Sequence, residues 1–158
     1  MKQKEPLKEP KLEPIKATSK WQGGSKSSIY VRDFSPFCMD EPKEMGGDDT
    51  APNPMEYVIG SLCGCSTVMI STIAEELNFQ VDSIEIESQG VIDERGAMGV
   101  DGVNQHFQKV EEYIYLDTME SKSRLEELQG EVEKRCPGLN LLKDAGIEVK
   151  VYWEKMNR

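Results

Sequence analysis

Polar and apolar positions alternate with different periods in successive stretches of the chain. Residues 1–14 show no period: Pro6, Pro10 and Pro14 recur every four residues among charges, a spacing no helix tolerates, so an extended tail is expected. From Ile15 the pattern is that of strands. Ile15 to Gln22 and Ser25 to Phe34 flank Gly23-Gly24 and predict a hairpin, with Phe37 to Met39 as a third short strand. The Pro-, Gly- and Asp-rich stretch 40–54 reads as a loop.

A helix start follows. Asn53 suits the N-cap, Pro54 the first helical position and Glu56 the capping-box carboxylate, and the helix is expected to run to Leu77 with Asn78 as its stop. Val81 to Asp93 and His106 to Asp117 read as strands joined by a Gly-rich loop, 94–105. Ser123 with Glu126 can cap a second helix whose apolar stripe is Leu125, Leu128 and Val132, with Cys136 four residues further on. Pro137 interrupts, a short helix 138–144 is expected to end at Gly146, and a last strand alternates Ile147, Val149, Val151 and Trp153 against Glu148, Lys150 and Glu154. The order β-β-(β)-α-β-β-α-α-β predicts one α+β domain over 15–158 behind the tail 1–14.

Composition narrows the partners. A chain of 158 residues with 37% hydrophobic and 30% charged residues can bury a core, and its net charge of -10 argues against a nucleic-acid partner. The charge-free stretch 57–74 is broken by Gly60, Gly64 and several hydroxyl residues and bracketed by Glu56 and Glu75. It reads as a buried helix that lets another backbone approach closely, and no membrane association is expected. No apolar core region follows the first charges, so the expected compartment is the cytoplasm. There Cys38, Cys63, Cys65 and Cys136 are not expected to form a structural disulfide framework.

Metal and redox chemistry are then the alternatives. Cys63 and Cys65 are separated by roughly 200° around a helix and point to nearly opposite faces. Taken alone, each is more simply a packed small hydrophobe. The C-x-C spacing and the isolated His106 suit zinc poorly, and no phosphate or dinucleotide motif is present, so neither metal nor cofactor is expected. Cys136 has two readings: it closes the Leu125/Leu128/Val132 stripe, or the helix start behind Pro137 favours its thiolate.

With these residues in place the chain resembles the OsmC/Ohr superfamily of hydroperoxide-reducing proteins, and more narrowly its general OsmC-like branch. Three segments carry the resemblance: R-x-F-x-x-x-x-x-DEP-x-x-x-GG-D-x-x-APNP from Arg32 to Pro54, MEYVIGSLCGC ending at Cys65, and CPGLNLLKDAGIEV from Cys136. The segment GVDGVNQHFQKVEEYIYL adds a similar loop and strand. The resemblance implies an OsmC-like fold as an intertwined homodimer with a central cysteine-bearing helix. It also implies a thiol peroxidase acting on organic hydroperoxides or hydrogen peroxide, in which Cys65 becomes a sulfenic acid. Cys136 closes a Cys65–Cys136 disulfide and an external dithiol reduces it. Arg32, on the strand before the DEP loop, would hold the thiolate. Peroxidase members often carry a carboxylate directly after the proline, where this chain has Met55; Glu56 could orient Arg32 or simply cap the helix. The alternative function is a non-catalytic OsmC-fold protein that senses redox state or holds a small ligand.

Overall fold

The computed structural model describes residues 9–156, so the first eight residues of the expected tail lie outside the described residues. Residues 9–14 are exposed and without regular structure. The chain divides into two compact units, one ending at Pro54 and one starting at Met55.

The first unit is a three-stranded antiparallel sheet in the order β1-β2-β3: β1 Thr18–Gly23, β2 Lys26–Tyr30 and β3 Phe37–Met39. Its turn is the expected one, with positive φ at Gly23 and Gly24. The first two strands are shorter than the sequence suggests. After Tyr30 the chain leaves the sheet through Arg32, whose φ is 50°, and Phe34 N–H closes a turn onto the Val31 carbonyl at 3.3 Å. Arg32 therefore sits in a turn and not on the strand, a correction to its expected position. No apolar side chain of the unit's described residues is buried; Trp21 is 77% exposed.

The one buried residue among the described residues of that unit is Asp40, which opens the DEP loop. Its carboxylate accepts from the backbone N–H of Glu41 at 2.9 Å, from Thr50 N–H at 3.1 Å and from the Thr50 hydroxyl at 2.7 Å. The loop folds so tightly around it that a Cβ at Gly47 would lie 1.9 Å from the Glu41 carbonyl oxygen, which accounts for the second glycine of the GG pair. The hydroxyl and amide donors, Thr50 first, hold the Asp40 carboxyl at about 2, below its ordinary 3.8. A carboxylate with a depressed value stabilises the loop fully above 3.8, and that contribution is lost as pH falls through about 2. An NMR titration of the Asp40 carboxyl is expected to give a midpoint near 2; one near 3.8 would show a loop that does not depend on it.

All but the first residue of α1, Pro54–Leu77, belongs to the second unit; the bounds of the helix match the sequence reading, and Asn78 at φ 50° ends it. By length and composition α1 could cross a membrane. Its buried residues Leu62, Ser66, Ile70, Ile73 and Ala74 lie along one side of the helix and pack it within this unit. The second sheet has the order β4-β5-β6: β4 Ser83–Ile92, β5 Phe107–Asp117 and β6 Glu148–Lys155. β4 and β5 are antiparallel, and β5 and β6 parallel. The parallel pair requires a crossover, supplied by α3, Lys122–Arg135, and α4, Pro137–Asp144.

Two corrections concern loops. The stretch 94–105 contains a short helix, α2, Glu94–Ala97, because the Asp93 side chain accepts from Arg95 N–H and starts a turn. The cap of α3 is Ser121, not Ser123: Ser121 has extended backbone and its hydroxyl accepts from Arg124 N–H. Ser123 lies in the first turn, 3.0 Å from the Ser121 hydroxyl.

Apolar packing falls into two clusters. In one, Ile70 and Ile73 of α1 meet Ile114 and Leu116 of β5 and Leu125, Leu128 and Val132 of α3. In the other, Leu62 of α1 meets Phe107 and Val110 of β5, Leu139 and Leu142 of α4, and Cys136. The α+β order is the expected one, and Cys136 sits in the second cluster with no exposed surface.

Candidate thiol site

The second unit brings Cys65 and Cys136 together. Cys65 lies on α1 and is partly buried; Cys136 is the residue between α3 and α4, and it caps α4 ahead of Pro137. Cys65 packs against the buried apolar cluster that contains Cys136, and all four cysteines are unbridged. Asn140 fixes the elbow that presents Cys136. Its side-chain amide donates to the Glu133 and Lys134 carbonyls at 3.3 and 3.2 Å, which the end of α3 leaves without helical partners, and to the Cys136 carbonyl at 2.8 Å, which also accepts the Asn140 backbone N–H.

The start of α4 serves Cys65. The backbone N–H of Gly138 donates to the Cys65 sulfur, and a Cβ at Gly138 would lie 3.2 Å from the Cys65 Cβ and 3.4 Å from its sulfur. Glycine at this position lets the α4 backbone approach the thiol. Burial nevertheless pushes the Cys65 thiol above its ordinary 9.0, and the neighbouring Cys136 and Glu112 push in the same direction; the Gly138 N–H opposes them.

A polar cluster that sequence reasoning missed lies behind the thiols. Glu112 of β5 is fully buried. Its Oε2 accepts from the Ser66 hydroxyl at 2.9 Å and its Oε1 from the Ser88 hydroxyl at 3.2 Å. Ser66 Oγ is 3.9 Å from the Cys136 sulfur, and the Cys63 thiol reaches Ser88 Oγ at 3.2 Å. Cys63 and Cys65 thus diverge as the helical spacing requires, one toward β4 and the other toward the head of α4. Burial raises the Glu112 carboxyl above its ordinary 4.5, as does the charge of Glu133, while the two serine hydroxyls lower it. The signal was present in the sequence: Glu112 takes its place in the period-two series Val110, Glu112, Ile114, Leu116, all buried.

The other expected site residues stand as follows. Arg32 belongs to the first unit, where its guanidinium lies 4.6 Å from the centroid of the Phe34 ring. Glu56 is exposed in the first turn of α1, and Met55 packs against the cluster containing Cys136. His106 precedes β5 with Nδ1 2.8 Å from the Phe107 carbonyl. Among the described residues, no three His, Cys, Asp or Glu side chains are grouped to hold a metal.

A helix crossing a three-stranded sheet, with one thiol on the helix and a second at the elbow of a two-helix crossover, defines a class of small α+β thiol proteins. The chain belongs to the OsmC/Ohr superfamily: the family model described as OsmC-like protein matches residues 46–152. Among solved structures it is similar to an OsmC-like protein from Mycoplasma pneumoniae, with a TM-score of 0.77 at 16% identity over 92% of this chain and 99% of that one. It is also similar to an organic hydroperoxide resistance protein OsmC from Legionella pneumophila, with a TM-score of 0.65 at 17% identity over 94% and 100%. The organic hydroperoxide resistance protein OhrB of Bacillus subtilis gives 0.59 at 20% over 89% and 98%. These likenesses establish the fold. No match is found among curated proteins.

Proposed function

We propose that the protein is a thiol-dependent peroxidase that reduces organic hydroperoxides or hydrogen peroxide. The observation that carries this reading is the packing of Cys65 against the buried cluster that contains Cys136, on elements far apart in sequence. The Cys65 thiolate attacks the O–O bond of the hydroperoxide, which leaves as alcohol or water, and the sulfur becomes a sulfenic acid. Cys136 displaces hydroxide from that sulfur to form the disulfide, and an external dithiol restores both thiols. The family membership and the hydroperoxide resistance proteins among its structural neighbours support the choice of substrate. Arg32 is assigned the stabilisation of the thiolate and Glu56 its orientation, both on the motif they belong to.

A homodimer in the cytoplasm is part of this reading. The uncharged α1 face carrying Gly60, Gly64 and Val68 is exposed, and the first unit buries no apolar side chain among its described residues; a second copy would cover both. The raised Cys65 thiol favours a second reading, a non-catalytic OsmC-fold redox sensor in which oxidation is slow and the disulfide is the signal.

Steady-state turnover of cumene hydroperoxide and hydrogen peroxide with a dithiol decides between them. The peroxidase is expected to exceed its Cys65→Ser variant by at least about a thousandfold. Turnover no faster than that variant, with the fold intact, would leave the sensor.

A further inference from the structure

Cys136 has no exposed surface, so bulk water cannot directly take its proton when it attacks the Cys65 sulfenic acid. A chain of groups that can take it runs from its sulfur. Ser66 Oγ lies 3.9 Å away and is itself buried, and its hydroxyl donates to Glu112 Oε2 at 2.9 Å. Glu112 is a fully buried carboxyl whose partners among the described residues are two serine hydroxyls and no cation. A lone buried carboxyl costs stability, and replacing such groups by apolar ones is often neutral or better. Its position against a buried thiol makes functional sense of that cost.

We infer that Glu112, acting through Ser66, is a positioning residue that accepts the Cys136 proton during disulfide formation. The inference rests on the thiol-pair reading above. As the sulfur–sulfur bond forms, the bond between the Cys65 sulfur and its hydroxyl breaks. The Cys136 sulfur is oxidised and the Cys65 sulfur reduced. The Cys136 proton passes to Ser66 Oγ while the Ser66 proton passes to Glu112, and the departing hydroxide takes a proton from solvent to become water. Glu112 later returns its proton to solvent, so the net products are the disulfide and water. The hydroperoxide is the oxidant that made the sulfenic acid.

The groups facing Glu112 would give the step its pH dependence. From α1 these are Cys63, through Ser88, and Cys65; from the head of α4, Cys136; from α3, Glu133. The adjoining strands contribute Ser88 and the apolar Val151 as its register partners. No cation is among these groups. The relay works once Glu112 is ionised, and its raised value places that transition above 4.5.

The test is a single turnover with one equivalent of hydrogen peroxide, quenched at intervals across a pH series. Trapping with a sulfenic-acid reagent follows the first step, and mass spectrometry of the Cys65–Cys136 bond follows the second. In Glu112→Gln and in Ser66→Ala, sulfenic acid is expected to form no more slowly than in the unaltered protein. Bond formation is expected to fall about tenfold or more, and the Gln variant to lose the low-pH inflection. Equal bond-forming rates and pH profiles in all three proteins would overturn the relay. An unaltered protein that forms sulfenic acid but no bond would overturn the thiol-pair reading itself, and the relay with it. Testing both variants separates a lost proton acceptor from a disturbed carboxyl, since Ser66→Ala retains Glu112.

Discussion

Cys136→Ser is expected to stop the protein at the sulfenic acid of Cys65. With peroxide and no reductant, the unaltered protein should collect as an intramolecular disulfide, whereas the variant should be trapped by a sulfenic-acid reagent and then oxidise further to sulfinic acid. The reason is geometric: Cys136 is the thiol that the α3–α4 elbow holds against Cys65, and Cys63 points away to Ser88 on β4. Yield of the disulfide should fall from near completion to background. Peptide mass spectrometry after trapping reads both species. An equal yield of a Cys63–Cys65 disulfide in the variant would show that the second thiol was misassigned.

The second large effect concerns the packing beneath the site. Leu139 of α4 has no exposed surface and packs with Leu62, Phe107, Val110 and Cys136. Leu139→Ala should lose about 2–5 kcal/mol of stability, the sum of lost transfer energy and the cavity left in a cluster that cannot collapse around it. The same residue follows Gly138, whose N–H meets the Cys65 sulfur, so loss of its anchor should also loosen that contact. Urea unfolding measures the first effect, with Leu141→Ala as a comparison: Leu141 is 72% exposed and its loss should cost no more than about 0.5 kcal/mol. Equal midpoints for the two variants would contradict this account of how α4 is held.

Several features of this arrangement could be read from the sequence, each for a local physical reason. The bounds of α1 follow from Pro54 at its start and Asn78 at its end, because both act through the backbone of the helix itself. The stripe Leu125, Leu128, Val132 and the alternation of β6 were legible because burial imposes their periods. The misplaced cap of α3 shows the limit of such signals: Ser121 and Ser123 are both good caps, and only the extended backbone at Ser121 decides between them. Arg32 was displaced for a similar reason. Its left-handed backbone ends β2 early, a conformation the residue type does not announce.

The site was half legible. Cys65 and Cys136 stand out by the motifs around them, but their contact is a tertiary fact that no spacing encodes. Ser66, Ser88 and Glu112 were overlooked because a strand carrying Glu111-Glu112 reads as solvated charge. Only the register of β5, with Val110 and Ile114 on either side, turns Glu112 inward while Glu111 pairs with Lys109 outside. Likewise, one of the two sequence readings of Cys136 had the start of α4 act on the cysteine that caps it. The structure instead directs the Gly138 N–H to Cys65, the thiol on a different element.

The measurement that tests the thiol-pair account most directly is mass spectrometry of the protein treated with a slight excess of peroxide and digested without reduction. The account predicts one dominant new species, the peptide of Cys65 joined to the peptide of Cys136. Oxidised protein in which Cys65 is joined to another cysteine, or in which Cys65 and Cys136 both remain as free thiols, would contradict it.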